Sequence, residues 1–461
     1  SITFKTPFYR KILEAIQRYS IYIGLGTAKQ SELKRENIAN GIVVTTWKKS
    51  FQSLEFLSHD KGYTLAKGGL HSKDDPRVIW ANPGEALADP DVASMYPSFI
   101  VNYGVSPHHL SSKVFLGIVE WLRTTRLDAK HNGRKLEADA LKIVINRIYG
   151  ALNDAMDYLY DPECTYTVTI NLQLLLCNLI ESFELNGFDV LSANTDGLLI
   201  RRPNDRLDLF NHICKEWEDY SKLSLDTEVF EKYCRSAVND YIAVGYGFYD
   251  ALQEYNRCGV WIDSKSNTYT TRQAIEDKFI KFKGYFLQDP EYNKGFVYPV
   301  VKKALKEYFL YGVDITEFIR NYINTSRIAI YDYCFSQKVA GKYTTIYKTV
   351  RDGKPVYIKC QKHNRFYICK SGGGAITKAI VPDSDNIAYG DDISGIVVEE
   401  EKSLVADQRV ALFNDYEYKE DYNLNYGFYI NEAYKILYGN GKTGKGERRG
   451  INNNSNNLFG W

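Results

Sequence analysis

Apolar residues recur at helical spacing near the N-terminus, where Phe8, Ile12, Leu13, Ile16 and Tyr19 fall on one face and predict an amphipathic helix. Strand-like Tyr22-Ile23-Gly24 and Gly41-Ile42-Val43-Val44 follow. Val78-Ile79-Trp80, Leu87 and Val92 predict β structure around Asp89-Pro90-Asp91. Tyr96-Pro97-Ser98 ends it, because proline brings no N–H to a central ladder. Two helical patterns flank His131-Asn132-Gly133, where Asn-Gly suits a left-handed cap, and predict a short antiparallel helical hairpin. Val168, Leu172, Leu174, Leu175, Leu176, Leu179 and Ile180 belong to an apolar helix whose content is core, packed under a sheet. Val190-Leu191-Ser192 and Leu198-Leu199-Ile200 read as the arms of a hairpin with Asn194-Thr195-Asp196 at its tip. The stretch 237–244 reads as a further strand, and Val300 to Tyr311 and Ile315 to Ile323 as helices.

At 461 residues, 44% apolar and 25% charged, the chain has the composition of a globular protein with room for about three domain-sized units. Its net charge of +1 announces no nucleic-acid partner, so any such surface must be built from local clusters. One exists: residues 111–150 carry eight Lys/Arg against four Asp/Glu. Within it Arg126 and Lys130 are four apart, as are Lys142 and Asn146, so each pair shares a helix face. If the two helices face a common cleft, three cations and an amide converge on one site, which suits a triphosphate; a solvated charged face has the same spacing. The eight cysteines are scattered without a C-x-x-C pair and read as reduced core thiols, giving neither zinc site nor disulfide framework. With no charged-then-apolar leader and no long apolar run, a cytoplasmic chain without a membrane span is expected.

Three stretches carry candidate chemistry. Asp91 to Ser98 reads D-x-x-S-x-Y-P-S, Lys142 to Gly150 reads K-x-x-x-N-x-x-Y-G, and Ala193 to Ile200 centres on Asn194-Thr195-Asp196-Gly197. In this order they resemble the first palm motif, the fingers motif and the D-T-D-S hairpin of family B DNA polymerases. Arg147 stands in place of a Ser, and Asn194 and Gly197 differ from the third motif. The resemblance covers roughly residues 63–375. It implies an α+β right-hand polymerase with a palm sheet, short helical-hairpin fingers and a helical thumb. The expected division is an N-terminal region at 1–66, palm at 67–110, fingers at 111–150, palm again at 151–290, thumb at 291–440 and a flexible tail at 441–461.

The same resemblance implies a phage or mobile-element enzyme that adds deoxynucleotides to a primer 3′-hydroxyl on template DNA. Asp91 and Asp196, with the Val92 carbonyl, would hold two Mg²⁺ ions, Mn²⁺ being a possible substitute. Ser94, Met95, Tyr96, Arg126, Lys130, Lys142 and Asn146 would meet the incoming deoxynucleoside triphosphate, and Tyr149 the nascent base pair. Tyr96 would exclude a 2′-hydroxyl. Gly68 and Gly69, with Tyr63 nearby, resemble the Y-x-G-G element that touches template backbone, where paired glycines permit positive φ; an ordinary hairpin turn is the alternative. Thr195 is a further expected DNA contact. Lys281 and Lys283, in a variant of the primer-gripping K-x-Y element, compete with a plain basic strand, and Asn364 and Arg365, in a basic and aromatic thumb segment, with a surface loop.

Asp60 is the only aspartate within residues 1–66, so a proofreading exonuclease looks absent or separately supplied. Gly439 to Lys445 fits half of a Walker A loop but lacks its Ser or Thr, and Leu458 to Trp461 is a candidate sliding-clamp peptide. Asp91 to Asn146 is 55 residues and Asn146 to Asp196 is 50, leaving little room for the insertions of protein-primed relatives. Asn194 and Arg147 favour a rival reading, a catalytically impaired polymerase-fold subunit that binds primer-template DNA as a scaffold.

Overall fold

The computed structural model describes residues 2–21, 28–39, 41–263, 267–286 and 298–438. Tyr22-Ile23-Gly24, Gly439 to Lys445 and the tail from 441 lie outside them. The first helix, Pro7–Arg18, forms as its spacing dictates. Thr6 caps it by accepting from the Tyr9 amide, Pro7 presets the first turn, and Tyr9, Ile12, Ala15 and Ile16 are buried.

Among the described residues one sheet of twelve strands dominates. Its spatial order is Lys34–Ala39, Ile42–Trp47, Ser50–Ser58, Lys61–Ala66, Leu70–Ser72, Asp189–Asn194, Gly197–Pro203, Glu85–Val92, Leu225–Ala237, Asp240–Gly245 and Ile280–Lys283. Arg77–Trp80 pairs separately with Leu225–Ala237. Every pairing is antiparallel. The boundary expected at residue 66 falls between two paired strands, so the N-terminal strands are continuous with the rest of this sheet.

The strand bearing Asp91, Glu85–Val92, lies between Gly197–Pro203 and Leu225–Ala237. Against the sheet packs the long helix Pro162–Leu185, capped by Asp161 through the Cys164 amide at 3.0 Å. It is long and apolar enough to cross a membrane, but most of its apolar residues are buried with those of Pro7–Arg18, Met95–Tyr103 and Leu207–Ser221. Its one deeply buried carboxylate, Glu181, accepts from the backbone amides of Lys5 and Thr6 at 2.9 and 2.7 Å. It is the core helix its composition predicts.

The expected helical hairpin is present as Ser112–His131 and Lys135–Ala151, with Gly133 between them at φ 71°. The expectation of a helical C-terminal third needs correcting. Helices Pro299–Tyr311, Ile315–Asn321 and Tyr426–Tyr438 do form, but between them stand a three-stranded sheet (Cys334–Lys338, His363–Cys369, Arg409–Leu412) and a four-stranded one (Lys354–Lys359, Thr344–Arg351, Ala375–Ile380, Glu399–Ser403). The physical reason is local. Thr344 to Val350 and Val356 to Ile358 are rich in β-branched and aromatic residues, and Asp352-Gly353 joins their strands with both residues at positive φ.

Candidate active site

Asp91 and Asp196 come together because of the sheet order. Asp91 is in register with Gly197, and the Val92 amide donates to the Asp196 carbonyl at 2.7 Å. Both carboxylates line one cleft of 280 Å³, together with Val92, Ser94, Met95, Tyr96, Arg126, Lys130, Lys142, Asn146 and Asp226. Burial, then the neighbouring Asp196 and Asp89 charges, push the Asp91 carboxyl up to about 7.

Past Val92 the chain turns sharply. Ser94 takes a left-handed conformation, φ 49° and ψ 50°, and helix Met95–Tyr103 begins at once. Arg126 reaches down from Ser112–His131 and donates to the Ser94 hydroxyl at 2.6 Å, while its Nε is buried without a partner. One turn on, Lys130 pairs with Asp226 at 3.0 Å. Lys142 and Asn146 enter from Lys135–Ala151, so the four residues spaced four apart do face one cleft. Tyr96, which lines the cleft, stacks its ring on that of Tyr149, and burial, then Asp196, push the Tyr96 hydroxyl up to about 12.

A second, smaller hollow shares Asp91 and Asp196 with the cleft and is lined also by Asp89, Asn194, Tyr233, Tyr241, Lys281 and Lys283. Lys281 bridges Asp89, at 3.2 Å, and Glu228. Burial raises the Asp89 carboxyl even with this lysine beside it. The Asn194 carboxamide oxygen is buried without a hydrogen-bond partner.

Two carboxylates and an unpartnered amide oxygen form an all-oxygen donor set, which fits a hard divalent cation. Among the described residues no three His, Cys, Asp or Glu side chains gather as metal ligands.

Gly68 and Gly69 form the turn between Lys61–Ala66 and Leu70–Ser72, and neither is in the left-handed region. At Gly69 the reason for glycine is proximity, whereas a Cβ on Gly68 would meet nothing within 4 Å. A Cβ on Gly69 would stand 3.1 Å from the Thr195 hydroxyl, so Thr195 and this turn are packed together. Gln173, buried on the core helix, braces the turn by donating to the Ala66 carbonyl at 2.8 Å and accepting from its amide at 3.1 Å.

One expected DNA contact is overturned. Asn364 is buried, donates its amide to the Gln361 carbonyl and accepts from Asn414 at 3.3 Å, so it is a structural residue of the three-stranded sheet with no face for a phosphate. Arg365, on the same strand, lies over the Tyr331 ring at 4.9 Å, outside the cleft. Arg147, the odd residue of the second motif, pairs with Asp157 at 2.7 Å and Asp154 at 3.5 Å beyond the helix end, outside the cleft lining.

Asp226, Glu228 and Gln173 have no part in the sequence reading, and Asp89 enters it only as a neighbour of Asp91. The only available signal for the strand pair was the alternation in Leu225-Asp226-Thr227-Glu228, which does not say which strand lies opposite.

No family model matches the chain. It is 27% identical over 190 residues to a DNA polymerase of Thermococcus gorgonarius, covering 34% of this chain and 24% of that one. It is 25% identical over 170 residues to DNA polymerase II of Escherichia coli (strain K12), covering 31% and 22%. Over about a third of its length the chain is thus similar in sequence to DNA polymerases. It spans about a quarter of the length of these polymerases. Its structure is also similar, at a TM-score of 0.39 and 12% identity, to the family B DNA polymerase of the hyperthermophilic archaeon Pyrobaculum calidifontis, over 80% of this chain and 46% of that one.

Proposed function

We propose that this cleft is the nucleotidyl-transfer site of a template-directed DNA polymerase. The observation that carries the reading is convergence: Asp91 from its strand and Asp196 from the turn that leads into the adjacent strand share one cleft with Arg126, Lys130, Lys142 and Asn146 from the helical hairpin. A polyanion beside a pair of carboxylates is otherwise repelled, and the three cations supply the compensating charge.

In this reading Arg126, Lys130 and Lys142 bind the triphosphate of a deoxynucleotide, Arg as a forked donor and the lysines as point charges. Asp91, Asp196 and the Val92 carbonyl would hold two divalent ions, magnesium with manganese as a substitute. When bound, these ions activate the primer 3′-hydroxyl and offset the charge of the leaving pyrophosphate. Tyr96 and Tyr149 bound the sugar and the nascent pair, the stacked Tyr96 ring leaving no room for a 2′-hydroxyl. The Gly68-Gly69 turn, held against Thr195, approaches template backbone, and Lys281 and Lys283 approach the primer end. The right-hand division into palm, fingers and thumb and the use of a nucleic-acid primer belong to the same proposal.

The rival reading, a DNA-binding subunit without catalysis, draws on Asn194 in place of a carboxylate. It draws also on Arg147, whose side chain pairs with Asp154 and Asp157. Steady-state extension of a DNA primer separates the two: Lys142→Gln should raise the KM for deoxynucleotide by tenfold or so without changing the affinity for primer-template. Primer-template binding with no nucleotide affinity in the intact protein would favour the subunit.

A further inference from the structure

We propose that Asp226 is a competing anion for Lys130, built into the cleft and holding the lysine until a polyphosphate displaces it. The inference rests on the reading of the cleft as a nucleotide site.

Asp226 sits on Leu225–Ala237 directly across from Asp91, and residues opposite each other in a ladder present their side chains on one face. Two like charges so placed repel. The Asp226 carboxylate instead meets Lys130 Nζ at 3.0 Å, on the neighbouring helix. Both partners remain more than half exposed, 56% for the lysine and 63% for the aspartate, so an incoming anion can reach the contact.

Asp226 holds Lys130 in the empty cleft, in the company of Arg126, which is itself tied to Ser94. The contact opposes the ligand, since the lysine must leave one anion to serve another. An exposed pair of this kind is weak, so the opposition is worth at most about fivefold in affinity. The consequence is a site that is ordered when empty and yields to a ligand carrying several charges.

The test is equilibrium binding of two probes, dATP and inorganic tripolyphosphate, to the intact chain and to Asp226→Asn, Asp226→Glu, Lys130→Gln and the Lys130→Gln/Asp226→Asn double variant. Thermal melts verify that each is folded. Asp226→Asn should tighten both probes by about two- to fivefold, and Asp226→Glu should behave like the parent. Lys130→Gln should weaken both, and adding Asp226→Asn to it should change nothing further. In primer extension Asp226→Asn should lower the deoxynucleotide KM without raising kcat, a split that a merely structural role would not produce.

The inference is overturned if Asp226→Asn weakens binding, leaves it unchanged, or tightens it equally with Lys130 removed; the last result would mean long-range repulsion rather than a contact. If the intact chain binds neither probe, the nucleotide-site reading falls and takes this inference with it. If tripolyphosphate shows the double-variant pattern while primer extension is absent, the contact stands and the polymerase reading falls alone.

Discussion

The rings of Tyr96 and Tyr149 stack face to face, their centroids 3.9 Å apart and their planes 10° from parallel. One comes from the helix that follows the Asp91 strand, the other from the second helix of the hairpin, so the stack ties the two halves of the cleft together. In a site for deoxynucleotides, a ring so pinned is a rigid wall. Tyr96→Val should therefore relax discrimination against ribonucleotides by about a hundredfold, while Tyr96→Phe, which keeps the ring, should retain it. The ratio of kcat/KM for matched deoxy- and ribonucleotides measures this.

Gly197 faces Asp91 across the ladder, and a Cβ there would stand 2.9 Å from the Asp91 Oδ1 and 3.2 Å from the Pro90 carbonyl. A side chain at this position would therefore press on the Asp91 carboxylate. Gly197→Ala should push the carboxylate aside and slow extension by about tenfold, at a stability cost of about 1 kcal/mol in denaturant unfolding.

Because the Asp91 carboxyl is raised to about 7, by burial and then by Asp196 and Asp89, its charged form destabilises the metal-free fold. The sign follows from linkage. Between about pH 4 and 7 the folded chain keeps a proton that the unfolded chain releases, so stability from this group falls as pH rises through that window. Asp91→Asn should make the metal-free protein more resistant to denaturant at pH 8 and no different near pH 3. Divalent ions reverse the relationship, since they need the ionised carboxylate: magnesium affinity should drop steeply below about pH 7, as calorimetric titration at several pH values would record.

Asn364 offers a test of the corrected assignment. Its buried amide satisfies the Gln361 carbonyl and its oxygen accepts from Asn414. Asn364→Ala should cost about 1–3 kcal/mol of stability and leave the affinity for primer-template DNA unchanged below the melting transition.

What the sequence disclosed and what it hid divide along the range of the interactions. Arg126 with Lys130, and Lys142 with Asn146, were legible as face-sharing pairs because helical spacing is local, and the Asn-Gly turn between their helices was legible for the same reason. Asp226 was not, because its place opposite Asp91 depends on which strands pair, and 134 residues separate the two. Lys281 was noticed as a cation, but its bridge from Asp89 to Glu228 joins three strands and has no sequence signature. The sheets between 334 and 412 are a different case: Asp352-Gly353 between β-branched runs is a readable hairpin signal, while the helical thumb was implied by the resemblance alone. Asn364 stood out as polar among basic and aromatic residues, and polarity alone could not tell a phosphate contact from a satisfied buried amide.

The most direct test of the central claim is magnesium-dependent extension of a labelled primer on a DNA template, comparing the intact protein with Asp196→Asn and supplying deoxy- and ribonucleotides in parallel. The site described here predicts extension with deoxynucleotides that the substitution reduces on the order of a thousandfold. No extension from folded protein that binds primer-template, or equal extension by the variant, would contradict it.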